Sequence, residues 1–156
     1  MGKNSGVNIR ELEEFRKKIE RSLGSKQIDA FIESCAKELA ARLLAKVIKR
    51  TPVGQYPKSS GKMGGTLRRG WTGGKSQSAS AYVGGLAIKH TGNVYIIEII
   101  NPVEYAPYVE FGHRTRGGDG WVEGKFMLTI SEQEIEKDAP RILENKLKKK
   151  LGECFG

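Results

Sequence analysis

The chain has 156 residues, is 38% hydrophobic and 29% charged, and carries 27 Lys and Arg against 18 Asp and Glu, a formal charge of +9. That balance fits one soluble domain with a real core and no need of a disulfide or metal staple. Met1–Gly6 is short and polar with no apolar stretch behind it, and no apolar run approaches the ~20 residues of a membrane span, so the reading is of a chain that stays where it is made.

The charge favours an acidic partner: nucleic acid, an acidic protein surface or an anionic membrane. The basic residues look spread along the chain, with a denser tract at Lys146–Lys150. The two cysteines have no metal-ligand spacing: Cys35 falls on an apolar helical face and reads as core, and Cys154, in the tail, reads as a free surface thiol.

In chain order, Ile9, Leu12, Phe15, Ile19 and Leu23 fall at helical spacing, Asn8 and Glu11 have the shape of a capping box, and Gly24 supplies a stop. A helix from about Ile9 to Leu23 is predicted. The second apolar stripe, Ile28, Phe31, Ile32, Cys35, Leu39, Leu43, Val47 and Ile48, predicts a long helix that Ser25 can cap. Lys46, Lys49 and Arg50 sit at its end, where cations meet the helix dipole favourably, and Pro52 stops it.

Residues Thr51–Ser80 are rich in Gly, Ser and Lys and read as a long flexible loop or arm, broken by a short cluster at Leu67–Trp71. The period then changes. Two strands are predicted over roughly Ala81–Lys89 and Asn93–Ile100, joined by "HTGN", the second with little polar alternation and so buried on both faces. A short helical turn follows over Tyr105–Phe111, with Tyr105, Tyr108 and Phe111 on one face to clamp it to the sheet, and then a glycine loop over His113–Gly124. Phe126, Ile130, Ile142, Leu143, Leu147 and Leu151 predict a final helix. Pro140 marks a kink or a second helix capped by Asp138. The sum is a single α+β domain: a small antiparallel sheet packed against a long helix, with N-terminal and C-terminal helices and a long Gly/Ser/Lys-rich loop.

"NPVEYAPYVEFGHRTRGGDGW" has the ingredients of an active site, with Glu104, Glu110, His113 and glycines. The chain has no G-x-S-x-G elbow, and its two histidines, His90 and His113, form no H-E-x-x-H or Cys-paired ligand set. "GQYPKSSGK" misses the phosphate-loop register because Met63 follows Lys62. No catalytic residue, cofactor or metal is therefore expected. Trp71 and Trp121 lie in Gly-rich segments, an unusual place for core tryptophan, and Trp, Tyr and Arg dominate protein–protein hot spots. "TLRRGW" and "FGHRTRGGDGW" also have the basic and aromatic make-up of a nucleic-acid contact, so a DNA-binding protein using its basic surface is the alternative.

Three motifs carry a family resemblance: Thr51, Pro52 and Val53; then Gly65, Thr66, Leu67, Arg68 and Trp71; then Asn101, Tyr105, Ala106, Val109, Glu110, Phe111 and Gly112. With them the chain, from about Ile28 to Leu151, resembles the neck or tail-completion proteins of tailed bacteriophages, prophages and phage-tail-like particles. It departs from the family in its loop "GQYPKSSGKMGG", longer than usual, and in "RTRGGDGW". The resemblance implies a structural virion protein of the head–tail junction, assembled in the bacterial host cytoplasm. It implies a homo-oligomeric ring, with a hexamer as the first expectation, and partners among tail-terminator, tail-tube and head-connector proteins. DNA would pass through the lumen, and no membrane would be involved. On that reading the subunit-interface candidates are Arg68, Arg69, Trp71, Glu104, Tyr108, Glu110, His113, Arg114, Arg116 and Trp121.

Overall fold

The computed structural model describes residues 14, 17, 20, 21, 23–92 and 94–155. The helix predicted over Ile9–Leu23 lies mostly outside them; within it, Glu14, Lys17, Glu20 and Arg21 are helical. The chain divides into two compact units, Met1–Cys35 with Arg141–Gly156, and Ala36–Pro140.

The elements, in order, are α1 (Ser25–Arg50), a 3-10 turn (Lys58–Ser60), α2 (Thr66–Gly70), α3 (Ala79–Gly84), β1 (Lys89–Thr91), β2 (Val94–Ile96), α4 (Ala106–Phe111), β3 (Gly112–Arg114), β4 (Trp121–Glu123) and α5 (Met127–Phe155). The α+β class is as the sequence predicts, with a long helix and antiparallel strands. The strands form two separate two-stranded sheets, β1–β2 and β3–β4.

Unit Ala36–Pro140 holds the main core. Leu44 and Val47 of α1, Leu67 and Trp71 of the "TLRRGW" segment, Val83, Ala106 and Met127 are buried together. Each full-sized side chain among them stabilises the fold by roughly 1.5–3 kcal/mol. Lys46 and Arg50 at the end of α1 clamp Glu134 of α5, at 2.9 Å and 2.6 Å. Unit Met1–Cys35 with Arg141–Gly156 buries Cys35, Ile142 and Cys154. Neither cysteine forms a disulfide, and Cys154 is buried, against the expected surface thiol.

Several boundaries differ from expectation for local reasons. Ser25 lies inside α1, and the Gly24 carbonyl accepts the Ile28 N–H of its first turn. "AYVG" is helical, because the Ser78 hydroxyl caps α3 by accepting the Ala81 N–H while Val83 turns into the core. The β1–β2 hairpin exists around Gly92 (φ +59°) but is short. Its second strand is not buried on both faces: Val94, Ile96 and Ile100 are exposed. In α4 it is Ala106 and Glu110 that face inward, so Tyr105, Tyr108 and Phe111 are exposed instead of clamping the turn. The glycine loop predicted over His113–Gly124 is a hairpin, with Gly112 opposite Glu123, His113 opposite Val122 and Arg114 opposite Trp121. Finally, α5 runs unbroken through Pro140, and Asp138 lies within it.

Candidate subunit interface

The three sequence motifs meet in space, and what they build first is an internal frame. Thr51, wholly buried, ends α1. Its hydroxyl donates to the Val47 carbonyl at 2.6 Å and accepts the Trp71 indole N–H at 2.8 Å. Its carbonyl, one of those a helix end leaves unpaired, accepts two bonds from the Arg68 guanidinium, at 3.1 Å and 2.6 Å. Thr-Pro-Val and T-L-R-x-x-W are thus two halves of one helix cap. The third motif joins through Asn101, whose amide donates to the Leu67 carbonyl at 2.8 Å while its side-chain oxygen accepts the Val103 N–H. Gly70 permits this approach: a β-carbon there would collide with the Asn101 side chain.

Glu110 completes the frame. Its carboxylate accepts the Leu128 and Thr129 backbone N–H groups, each at 2.9 Å, and the Thr129 hydroxyl at 2.7 Å. It caps the first turn of α5, where the helix dipole favours negative charge. The Glu110 carbonyl accepts the Phe126 N–H and the Val109 carbonyl the Lys125 N–H. These bonds hold Phe126 at φ +46°, a conformation costly for a bulky residue. Gly112 and Gly124 pass where this cap meets the β3–β4 hairpin, each with no room for a β-carbon beside the facing backbone.

The interface candidates therefore divide. Trp71 and Glu110 are corrected: they are only 4% and 6% exposed, and their polar atoms are used within the subunit. Arg68 is half-buried and committed to Thr51. Arg69 is exposed, tied to the Gly64 carbonyl at 3.2 Å. Glu104, Tyr108, Arg114, Arg116 and Trp121 are exposed. His113 is half-buried, its ring edge-on to Tyr108 with centroids 6.1 Å apart. Its Nδ1 lies 2.9 Å from the Arg114 carbonyl, which can only accept, so Nδ1 carries the proton in that contact.

What the fold brings together is an apolar, aromatic edge around α4 and the second hairpin. Tyr108 and His113 adjoin there, Arg114 pairs with Trp121, and Phe111 stands edge-on to Phe126 at 6.4 Å. A groove of about 340 Å³ runs beside it, lined by Ile100, Pro107, Phe111, Leu128 and Glu132. Phe111, Phe126 and Val122 are members that the sequence reading does not place at a surface. Gly112 and Gly124 are the available signal, since paired glycines flanking "RTRGGDGW" mark a hairpin that approaches backbone closely. Among the described residues no group of three or more His, Cys, Asp and Glu side chains could hold a metal ion, and no helix is long and apolar enough to cross a membrane.

Residues 13–112 match the family model described as "Bacteriophage HK97-gp10, putative tail-component". The chain belongs to that family. The match ends at Gly112, the last residue of the third motif and the first of β3, so it takes in the Thr51 and Asn101 contacts but not the rest of the β3–β4 hairpin or α5. Neither the curated proteins nor the solved structures gave a match. As a bacteriophage tail component the protein is a structural part of the virion.

Proposed function

We propose that this tail component acts at the head–tail junction, as a neck or tail-completion protein that forms a ring at the end of the tail and joins it to the head connector. The observation that carries the reading is the exposed edge of Tyr108 and Phe111 on α4, Trp121 on β4 and Phe126 just before α5, around the cap that Glu110 makes on α5. Large aromatics left outside while the Glu110 cap fixes their backbone are suited to recognition. Closed rings use heterologous contacts, in which one face of a subunit meets a different face of the next. Glu104 on one segment and Arg69, Arg114 and Arg116 on others offer opposite charges to set that register. The expected partners are further copies of this chain, a hexamer first, and the tail-terminator, tail-tube or head-connector rings above and below it. Its place would be the assembled virion, reached from the host cytoplasm, and its role there is assembly, not catalysis.

The test is a phage or phage-tail-like particle carrying Tyr108→Arg or Trp121→Arg. Both side chains are exposed, so the purified variants are expected to keep the wild-type circular dichroism spectrum. Electron microscopy of lysates should then show tails and filled heads that stay unjoined. Joined, infectious particles at wild-type yield from both variants would remove this edge, and with it the reading, from head–tail joining.

A further inference from the structure

The positive charge is not spread evenly. Residues 39–97 contain ten Lys and Arg and no Asp or Glu, leaving 17 against 18 in the rest of the chain. Six of those ten cations are bonded within the fold. Arg42 pairs with Glu38, Lys46 and Arg50 with Glu134, and Lys89 with Glu98, while Arg68 bonds the Thr51 carbonyl and Arg69 the Gly64 carbonyl. Of the other four, three lie in the segment Gly54–Lys75: Lys58, Lys62 and Lys75, all exposed. The ammonium groups of Lys58, Lys62 and Lys75 make no hydrogen bond or ion pair to a described residue.

Lys58 and Lys62 lie on a closed loop. Gly54 and Gly64 approach so nearly that a β-carbon on Gly64 would overlap the Gly54 carbonyl. The Lys58–Ser60 turn and Gly61 (φ +66°) form the far end. Loops with adjoining ends and local bonding are compact and frequently functional. The Arg69 guanidinium ties the base by donating to the Gly64 carbonyl, and the Arg69 carbonyl accepts the Gly74 N–H, carrying the chain on to Lys75.

We infer that the exposed side of this Gly54–Lys75 segment, the closed loop with the turn after α2, is a contact surface for the phosphate backbone of duplex DNA. A positive patch also complements a negative protein surface, the outcome that a comparison with poly-glutamate reads. A segment with cations alone suits a ligand whose charge has one sign and even spacing. Lysines, glycine N–H groups and the hydroxyl of Ser59 are the donors that bind phosphates without reading sequence. Trp71 is buried in the core, which leaves Tyr56 as the segment's one exposed aromatic, and Lys62 stands over its ring at 5.9 Å, so a single strand finds no run of rings on which to stack its bases. The inference does not depend on the ring reading, because it concerns the free subunit as well.

The experiment is fluorescence anisotropy of the full chain with a random-sequence duplex, titrated from 50 to 200 mM salt. Wild type should bind with a steep salt dependence. In Lys58→Ala/Lys62→Ala/Lys75→Ala the slope of log K against log salt should flatten by about three, roughly one per phosphate contact, with affinity at the lowest salt falling about tenfold or more. A control with three exposed lysines outside the loop replaced, Lys125→Ala/Lys137→Ala/Lys149→Ala, should keep most of the wild-type slope. Three results would overturn the inference: no binding by wild type at 50 mM salt, an equal loss of slope in the control, or equally tight binding of poly-glutamate, which would make the loop a dock for an acidic protein. Matching unfolding curves for the two variants show that a lost contact is not a lost fold.

Discussion

The indole N–H of Trp71 donates to the hydroxyl of Thr51 at 2.8 Å, and both residues are buried. Thr51 has no spare capacity: its hydroxyl also donates to the Val47 carbonyl and its own carbonyl receives Arg68. Thr51→Val keeps the shape and deletes the hydroxyl, leaving a buried indole donor unpaired. A loss of about 1–3 kcal/mol in urea unfolding is expected. In Trp71→Phe the donor itself is gone, so adding Thr51→Val should then cost much less than it does in wild type. Strict additivity of the two changes would show that the bond does not couple them.

Glu110, a subunit-contact candidate on sequence grounds, instead caps α5 through Leu128 and Thr129. Glu110→Gln keeps one acceptor oxygen but loses the charge that favours the helix N-terminus, and should lower stability by about 1 kcal/mol. Glu110→Ala should lower it by about 2 kcal/mol or more, since the freed donors lie in the first turn. Glu110→Arg should impair assembly by unfolding the subunit and is therefore no probe of an interface. Thermal melts of the three variants check the order, and a Glu110→Ala melt equal to wild type would remove the capping role.

The two hubs explain which features are legible in the sequence and which are not. Apolar periodicity locates α1 and α5, because long helices bury a stripe at 3.6-residue spacing. The motif residues are recognisable but their purpose is not, because Trp71 and Glu110 act across separations of 20 and 18 residues that no local pattern reveals. The Gly-rich neighbours of Trp71 suggest exposure, whereas Gly70 is small so that Asn101 and Val103 can approach the core beside it. The β3–β4 hairpin is hidden for a similar reason: its strands are three residues long, too short for alternation to show. The acid-free stretch 39–97 is visible in the sequence, but only the structure shows which of its cations are already paired.

Glu134 makes the stability of the α1–α5 contact depend on pH. Hydrogen bonds from Arg50 first, and then Lys46, hold its carboxylate below the ordinary value of 4.5, against the opposing effect of burial. A group whose folded pKa is depressed contributes stability above its unfolded pKa and loses it as pH falls through the folded one. Wild type should therefore melt above Glu134→Gln at pH 7. The gap should start to narrow near pH 4.5 and close below the lowered folded pKa. Both cations and the carboxylate are partly exposed, so the gap should also shrink in high salt. A gap unchanged from pH 7 to pH 2.5 would show that the difference is steric and not ionic.

Gly112 and Gly61 both have positive φ, +86° and +66°, and they separate backbone strain from close approach. At Gly61 nothing lies within 4 Å of the place a β-carbon would take, so Gly61→Ala meets only the left-handed penalty, roughly 1–2 kcal/mol. At Gly112 the β-carbon would also run into the Val122 carbonyl and stand 2.9 Å from the Gly124 N–H nitrogen, so hairpin and α5 cap would have to part. Gly112→Ala should cost more than Gly61→Ala by about 1–3 kcal/mol in chemical unfolding. Gly124→Ala, which meets the Glu110 carbonyl, should resemble Gly112→Ala. Because Trp121 stands on that hairpin, the proposed junction role adds that both variants should fail in head–tail joining, while Gly61→Ala joins normally. Equal stability of Gly112→Ala and Gly61→Ala would mean that the hairpin yields without resistance and that the edge is not held in place by the cap.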